Sequence, residues 1–510
     1  MRARAARAKP GAMEPRRNPV SCPAACGWRA RNERTSLQDL PDQSTQDQAR
    51  VLAPGRNCWR IAQARRAAVL IDTSAYFSRL AEALKRAERS VLIIGWDFDG
   101  RIKLCPQHED CQALGPFLRS LVEARPALEV RVLIWSAAVV HASDDPISLL
   151  FGADWQKHPR IAVRLDRAHP LYGSHHQKLV VIDDTLAFCG GIDLTVERWD
   201  TCGHDEVDPL RLTPDGKPYR PMHDVQMAVD GDAAHAVGDV ARERWRVATG
   251  ETLQPLAGTS NLWPQDLTPD FIETPVAVAR TSPAYGDAQA VHEIATMTDD
   301  LLAAARHTIY IETQYLAASK VRRFLTKSLA ARTGPEVVIV VRREAMGMLE
   351  GLVMGRNRDR LIRHLRHADR HNRLRIYFPV VPGKDAACEV LLHAKVLVID
   401  DRILRVGSSN LNNRSMGLDT ECDLAIEATT QAQRDAIARV RNTLLAEHLG
   451  VTPEEVANAI CERGSLIRAI DTCNRGPRGL RPFPETDFDG PTEPITGTGF
   501  LDPKRPFALI

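Results

Sequence analysis

The sequence predicts an α/β fold that is built by duplication. Helical segments alternate with short apolar strands, which is typical of α/β domains. The same order of elements then occurs a second time. Ser90 precedes His176 by 176 − 90 = 86 positions, and Thr308 precedes His393 by 393 − 308 = 85 positions. Two halves of matching layout indicate a repeated domain.

The first copy begins with a helical pattern from Asp72 that continues through Leu80, Leu84 and Ala87. Buried strands are predicted at Val91–Trp96 and Val130–Trp135, followed by paired strands at Lys178–Ile182 and Leu186–Cys189.

The second copy follows the same plan. A helix is predicted at Val291–Ala305, with strands at Thr308–Ile311, Val337–Val341 and Lys395–Ile399. The predicted boundaries are a flexible basic tail over 1–50, a first domain over 51–255, a linker over 256–283, a second domain over 284–450 and a C-terminal extension over 451–510. The linker is rich in Pro and Thr, and the Gly/Pro-rich stretch from Gly476 to Pro506 predicts an extended tail.

Composition excludes several classes of protein. The 510 residues are 44% hydrophobic, which excludes disorder throughout. Lys and Arg number 67 against 65 Asp and Glu, so no overall field favours a nucleic-acid partner. No apolar run of 18 residues and no secretory signal is visible, and the odd count of 11 scattered cysteines argues against a disulfide framework. A cytoplasmic protein is therefore expected.

Two short segments carry the chemistry. His176, Lys178 and Asp183 stand at relative positions 0, +2 and +7, followed by a glycine at +14. His393, Lys395 and Asp400 repeat that spacing, again with a glycine at +14. The strand period of two places each His and Lys on one face, whereas the Asp falls on the other side or in the turn. These six residues form the candidate catalytic set.

Two His–Lys pairs can act on one phosphorus atom. An imidazole with a pKa near 6.5 can attack or transfer protons at neutral pH, and a neighbouring Lys stabilises phosphoryl charge. If the pairs face each other across a domain interface, one His attacks and the other protonates the departing alcohol. The lysines would then supply the charge that metal ions supply elsewhere, so no metal or other cofactor is expected.

A nucleophilic His needs a group that holds its tautomer, usually a carboxylate. The segment that starts at Asp224 aligns with the segment that starts at Glu421. Asp224 stands 224 − 176 = 48 residues beyond its histidine, His176, and Glu421 stands 421 − 393 = 28 residues beyond its histidine, His393. Each carboxylate heads a predicted strand. Asp224 and Glu421 are therefore the candidate His-orienting residues.

The duplicated His-x-Lys-x4-Asp pattern resembles the phospholipase D superfamily. The surrounding sequence is similar to its true phospholipase D branch over about residues 55–445, in segments 174–178, 190–194, 198–200, 222–225, 309–315 and 410–415. The resemblance implies two α/β/α sandwich domains related by a pseudo-twofold duplication, with one active site at their interface and a phosphohistidine intermediate. The lipid-targeting and calcium-binding modules of the family are not apparent.

The resemblance also implies residue roles. His176 would be the nucleophile, and His393 the general acid and then the base. The phosphate oxygens would be held by Lys178, Lys395, Ser408 and Asn410. Gly191 and Asp193 replace the Ser and Asn of the second copy. A carboxylate would repel phosphate, so Asp193 is expected to pair with a lysine or to support the turn.

The function expected on this basis is hydrolysis of glycerophospholipids to phosphatidate and a headgroup alcohol, with water or another alcohol as acceptor. The protein would act at a membrane surface as a peripheral enzyme. A phosphatidyltransferase of cardiolipin-synthase type is the nearest alternative, and a nuclease of the same superfamily is less favoured.

Two further segments bear on membrane contact. His364, His367 and His371 lie in an Arg-rich predicted helix, which favours a solvated cationic face over a metal site and can meet an anionic membrane. The apolar residues between Met346 and Met354 fit either a lipid-contacting lid or ordinary helix packing.

Overall fold

A computed structural model describes residues 49–135, 153–257, 261–343 and 355–484 of the chain. Residues 49–257, called the first half below, begin with a long strand followed by a helix. The strands of this half are β1 (Arg60–Ile71), β2 (Ser90–Gly95), β3 (Glu129–Trp135), β4 (Ile161–Asp166), β5 (Leu179–Ile182), β6 (Leu186–Gly190), β7 (Met222–His223) and β8 (Val225–Asp230). Its helices are α1 (Thr73–Leu84), α2 (Leu114–Ala124) and α3 (Asp232–Thr249), with a 3-10 turn at Asp154–Gln156.

Residues 261–484, the second half, repeat this order and continue beyond it. The strands are β9 (Phe271–Ser282), β10 (Val291–His292), β11 (Thr308–Thr313), β12 (Glu336–Val341), β13 (Leu374–Val381), β14 (Cys388–Glu389), β15 (Leu391–Leu392), β16 (Lys395–Ile399), β17 (Ile403–Gly407), β18 (Glu421–Glu427) and β19 (Gly479–Pro482). The helices are α4 (Glu293–Ala304), α5 (Ser319–Ala330), α6 (Arg356–Ala368), α7 (Asn413–Gly417), α8 (Gln431–Leu449), α9 (Pro453–Arg463) and α10 (Leu466–Cys473).

The two halves share one continuous sheet. In the first half the strand order is β4, β3, β2, β5, β6, β8, β1. In the second half it is β9, β18, β17, β16, β11, β12, β13. β1 pairs with β9 in antiparallel fashion from Arg60 opposite Val278 to Ala67 opposite Phe271. This pairing joins the halves at the centre of the sheet, so the sequence repeat is also a structural repeat.

Helices cover both faces of the sheet, as β5 illustrates. Val180 and Ile182 belong to the outer core that α1 and α2 cover. Leu179 and Val181 belong to a second core, which contains side chains of α3 and α8. Because α3 comes from the first half and α8 from the second, this core is common to both. The expected mixed α/β architecture of two similar sandwich-like domains is confirmed.

Three sequence predictions are corrected. The predicted linker 256–283 contains β9, which pairs with β1 and β18. The C-terminal extension is not simply a tail, because α9, α10 and β19 fold onto the second half and β19 pairs with β13. Cys202 is disulfide-bonded, although eight other cysteines of the described ranges are free thiols.

Of the two predictions about membrane contact, one falls outside the described residues and the other is changed by the observed end of a helix. The apolar patch 346–354 lies outside the described residues. His371 lies beyond the end of α6, so it does not continue the helical face of His364 and His367. In the part of the chain that the structure describes, none of the helices combines the length and the apolar character needed to cross a membrane.

Candidate active site at the junction of the two halves

The segment that carries His176 lies against the second half. The backbone N–H of His176 donates to the carbonyl oxygen of Thr420 at 2.9 Å, and that of Thr420 donates to Ser174 at 2.9 Å. His175 and Thr420 form a parallel bridge. The residues before β5 are therefore aligned with the residues before β18.

The segment that carries His393 lies against the first half in the same way. β15 pairs in parallel with β7, with Leu392 opposite His223. The backbone N–H of His393 donates to the carbonyl oxygen of His223 at 2.8 Å. Each motif histidine thus lies beside the carboxylate-bearing segment of the opposite half.

The two His–carboxylate pairs are crossed between the halves. Nδ1 of His176 lies 2.9 and 3.0 Å from the carboxylate oxygens of Glu421, and Nδ1 of His393 lies 2.7 Å from Oδ2 of Asp224. Both carboxylates are fully buried. Each His donates from Nδ1, so its Nε2 carries the lone pair or the proton that reacts. The structure brings each predicted orienting residue to a motif histidine, but to that of the other half, which corrects the expected pairing within each half.

Burial and nearby cations hold both rings neutral at neutral pH. Burial, followed by the charges of Lys178 and Lys395, lowers the pKa of His176 well below its usual value of 6.5. Burial, followed by Lys395 and Arg198, does the same for the pKa of His393. A neutral imidazole is the form that can attack phosphorus, because protonation removes the lone pair.

The two lysines flank the histidines, but their environments differ. Nζ of Lys178 donates to the carbonyl oxygen of His176 at 3.0 Å and pairs with Asp193 at 3.2 Å. Nζ of Lys395 donates to the carbonyl oxygen of His393 and lies 3.1 Å from its Nδ1. Burial lowers the pKa of Lys395 to about 7, against the opposing effect of Asp224. Lys395 is therefore the lysine whose charge depends on pH near neutrality.

Asp193 has both of the expected structural contacts. One carboxylate oxygen pairs with Lys178, and the other accepts the backbone N–H of Trp96 at 2.8 Å. The carboxylate is thus engaged with a lysine and with the end of β2.

Ser408 and Asn410 were both predicted to bind phosphate, but only one of them lines the cleft. The Ser408 hydroxyl donates to Glu421 and accepts the backbone N–H of Cys422 at 3.0 Å. This arrangement corrects the expectation for Ser408, whose hydroxyl supports the orienting carboxylate. Asn410 lines the cleft, and its Oδ1 is buried without a hydrogen-bond partner among the described residues. Asn410 remains the candidate phosphate ligand of this pair.

Asp183 and Asp400 lie outside the cleft, which corrects their place in the catalytic set. Asp183 accepts the backbone N–H groups of residues 88, 89 and 90 at 2.8, 2.8 and 2.7 Å. Asp400 accepts those of residues 306, 307 and 308, each at 2.7 Å. Each carboxylate anchors the start of a neighbouring strand. It follows the last residue of β5 or β16, five residues after the motif lysine, and an extended chain of that length spans about 17 Å.

A cleft of about 470 Å³ contains both histidines. Its other walls come from strand ends and loops of both halves. Among the lining side chains are Trp96, Asp97, Trp135, Arg198, Gln314, Tyr315 and Arg342. Gln314 accepts a hydrogen bond from Lys395 at 3.4 Å. The cleft can therefore hold an anionic group between the histidines and a larger group beside the tryptophans.

Two family profiles match separate parts of the chain. The profile described as "Phospholipase D" matches residues 83–269, and the profile described as "Cardiolipin synthase, PLD-like domain" matches residues 299–440. Each match includes one His-x-Lys motif. The chain belongs to the phospholipase D superfamily.

Curated proteins of this superfamily are similar at low identity. Phospholipase D A of Dictyostelium discoideum is 24% identical over 471 residues, covering 75% of this chain and 35% of the relative. Phospholipase D2 of Bos taurus is 22% identical over 466 residues, covering 70% of this chain and 48% of the relative. The chain thus spans between about a third and a half of the length of these relatives.

A solved structure supports the fold assignment. The crystal structure of phosphatidylserine synthase from Haemophilus influenzae Rd KW20 superposes with a TM-score of 0.52 at 14% identity, covering 81% of this chain and 97% of that chain. At this identity the likeness concerns the fold alone.

Sequence reasoning missed several residues that line the cleft of this superfamily member. Trp96 and Trp135 stand at the ends of β2 and β3, and their ring centroids lie 5.5 Å apart. Arg342 follows β12 in the second half. In the sequence the two tryptophans were visible only as the last residues of predicted strands, and Arg342 only as the residue after one. The parallel pairing of β2 with β3 was the signal that would have placed the two tryptophans together.

Proposed function

We propose that this chain is a phospholipase D-type phosphodiesterase that acts on glycerophospholipids. The observation that carries the proposal is the pair of crossed His–carboxylate contacts beside one cleft. Two oriented imidazoles, with a lysine next to each, match the needs of a two-step displacement at phosphorus.

In the first step Nε2 of His176 attacks phosphorus, and the bond from phosphorus to the headgroup oxygen breaks. His393 gives its proton to that oxygen, so the alcohol departs neutral. The negative phosphodiester beside His393 favours the protonated ring, and this offsets the cationic surroundings that depress its pKa. The products of the step are a phosphoramidate on His176 and the headgroup alcohol.

In the second step His393 removes a proton from water or from another alcohol. The resulting oxygen nucleophile attacks phosphorus, the bond from phosphorus to nitrogen breaks, and His176 is restored. Lys178, Lys395 and the amide of Asn410 stabilise the equatorial oxygens in both steps. The groups that do this chemistry all belong to the protein. The substrate would be drawn from a membrane surface.

A competition between acceptors tests the covalent route. Purified protein is given phosphatidylcholine vesicles with and without ethanol, and the lipid products are separated. We expect phosphatidate without ethanol and phosphatidylethanol with it, because the phosphoramidate is open to either acceptor. An active preparation that never forms phosphatidylethanol would contradict the proposal. Single-stranded DNA, offered in parallel, should remain uncut.

The match of residues 299–440 to the profile named for cardiolipin synthase favours a second candidate. The same two steps with a lipid alcohol as acceptor would make the chain a phosphatidyltransferase. Phosphatidylglycerol as the sole lipid separates the two activities. A hydrolase gives phosphatidate and glycerol from it, whereas the transferase gives cardiolipin and glycerol.

A further inference from the structure

A second group of ionisable side chains lies outside the cleft, between the two halves. Four of them have ligand atoms that all lie within 4.8 Å of one another. Three come from the first half and one from helix α8 of the second, and their side chains are at most 8% exposed. We call this group the buried His–carboxylate cluster; its members are Asp72, His204, His223 and Glu447.

The spacing within the cluster matches a tetrahedral metal site. At metal–ligand distances of about 2.0–2.1 Å, neighbouring ligand atoms of a tetrahedron are separated by roughly 3.3 Å. Nδ1 of His223 lies 2.8 Å from Glu447 and 3.1 Å from Oδ1 of Asp72. Nε2 of His204 lies 3.1 Å from Glu447 and 3.5 Å from Oδ2 of Asp72. If Oδ2 of Asp72 is taken as its ligand atom, three of the six edges are given by these contacts, at 2.8, 3.1 and 3.5 Å, and they have about the required length.

The far nitrogen of each ring has the partner that a metal-bound histidine needs. Nδ1 of His204 lies 2.9 Å from Asp200, which is in turn held by Arg211 at 2.8 Å. Nε2 of His223 lies 3.0 Å from Glu312. A carboxylate on the second nitrogen fixes the tautomer and strengthens the ring as a ligand.

The two rings have too few N–H donors for the carboxylate oxygens that face them, unless a further cation is present. A neutral imidazole has only one N–H, yet both nitrogens of His204 and of His223 face carboxylate oxygens. Each ring therefore needs either an additional proton or a metal ion on one nitrogen.

Asp72 provides the second observation. It is buried, and its Oδ2 has no hydrogen-bond partner. Its φ of 65° lies in the left-handed region, which costs a non-glycine residue energy. Within the described ranges, neither Lys nor Arg forms an ion pair with Asp72 or Glu447. A divalent ion would neutralise both carboxylates and satisfy the orphaned oxygen.

We propose that the buried His–carboxylate cluster binds one divalent metal ion, with Zn²⁺ as the best match to two imidazoles and two carboxylates in tetrahedral array. This proposal departs from the sequence-based expectation that the protein binds no metal. The ion has a positioning role, because none of the four ligands lines the cleft. It ties α8 to β7, and His223 precedes Asp224, whose carboxylate orients His393. The site stands independently of the proposed phospholipid reaction.

Metal content is the direct test. Untagged protein is purified, passed over a chelating resin to remove surface metal, and analysed by elemental mass spectrometry. We expect about one zinc per chain. His204→Gln and Asp72→Asn should lose it, whereas His371→Gln, a change at an exposed histidine, should retain it. Cobalt exchanged into the protein should give the intense visible absorption of a tetrahedral ion, and this absorption should be absent from His204→Gln.

Thermal unfolding guards against variants that lose metal only because they are misfolded. Prolonged EDTA treatment should lower the melting temperature of the wild type, and added Zn²⁺ should restore it. His204→Gln, checked for native circular dichroism, should melt at a lower temperature that neither treatment changes. The proposal would be overturned if the wild-type protein contained no stoichiometric metal and its melting temperature changed with neither EDTA nor Zn²⁺. That result would show that protons alone neutralise the carboxylates of the cluster. Neither readout depends on enzymatic activity.

Discussion

Glu421, in the second half of the chain, accepts a hydrogen bond from Nδ1 of His176, in the first half, at 2.9 Å. Asp224 makes the reciprocal contact with His393 at 2.7 Å. Each motif histidine therefore takes its carboxylate partner from the opposite half. Each half is chemically incomplete until it is docked on the other.

The crossed contacts predict which histidine each carboxylate variant impairs. Asp224→Asn should act through His393, the proposed general acid, and Glu421→Gln through His176, the proposed nucleophile. With phosphatidylcholine, each should reduce kcat by about 10²–10⁴-fold, the usual contribution of acid–base catalysis. In a single-turnover measurement of p-nitrophenolate release from a phosphatidyl ester of p-nitrophenol, whose anion departs without protonation, Asp224→Asn should keep most of its rate and Glu421→Gln should not. Asp435→Asn, an exposed residue of α8, is the control. A reversed pattern would show that the roles of the two histidines are exchanged.

The pH profile should follow Lys395 on the alkaline side. Its pKa of about 7 means that it is cationic below that pH and neutral above it. The charge that holds phosphate is therefore lost as the pH rises through about 7, and kcat/KM should fall there. On the acid side, the depressed pKa of His176 keeps the nucleophile neutral until well below pH 6.5. The acid limb should lie below that value.

Arg198→Gln tests this assignment. Arg198 is one of the cations that lower the pKa of Lys395, so its removal should move the alkaline limb to higher pH. Lys157→Gln, at a lysine that is 67% exposed, should leave the profile unchanged. If the pH of the alkaline limb is the same in Arg198→Gln as in the wild type, the alkaline transition belongs to a group other than Lys395.

Gly191 should be intolerant of any side chain. A Cβ at this position would overlap the Asp224 carboxylate. Gly191→Ala should displace that carboxylate from His393, with a cost of about 1–3 kcal/mol as in other overpacked sites, and kcat should fall. Gly476→Ala, where the nearest atom would be 3.4 Å away, is the matched control. Full activity of Gly191→Ala would mean that Asp224 can move without affecting His393.

Asp183 and Asp400 should matter to stability. Each carboxylate accepts three backbone N–H groups at the start of a neighbouring strand. Both residues have a positive φ, which Asn also adopts readily. The substitution of Asp by Asn therefore removes the carboxylate charge without straining the backbone. Asp183→Asn and Asp400→Asn should each lower the free energy of unfolding by about 1–3 kcal/mol, measured by urea denaturation. Per folded molecule kcat should be unchanged, and a selective loss of kcat would return these residues to the reaction.

The sequence predicted well where the signal is local. The strand β16 was predicted with its observed limits, because four consecutive apolar residues follow Lys395 and a turn follows them. β9 was interpreted as linker because Pro275 lies within it, and a proline argues against a strand interior. Its pairing partners are β1 and β18, which come from distant parts of the chain. β1 was also missed, because Arg65 and Arg66 interrupt its apolar pattern.

In the candidate site, too, the sequence predicted local features correctly and missed those that depend on distant parts of the chain. The repeat nominated both His–Lys pairs and both orienting carboxylates. It paired each carboxylate with the histidine of its own half, and the structure corrects that pairing. His176 and Glu421 are 245 positions apart, so only the docking of the halves brings them together. The role of Ser408 was misjudged for a related reason. Its hydroxyl faces Glu421, and no sequence spacing shows whether a side chain points into a cleft or away from it.

The antiparallel pairing of β1 with β9 places the repeat boundary inside a sheet. A single copy of this unit, alone in solution, would expose an unpaired edge strand and carry an imidazole that lacks its acceptor. Both deficits are remedied at once when two copies associate side by side. In the proposed reaction, such a chain acts as a dimer whose two copies are fused into one polypeptide. One copy supplies the nucleophile, and the other supplies the group that transfers protons.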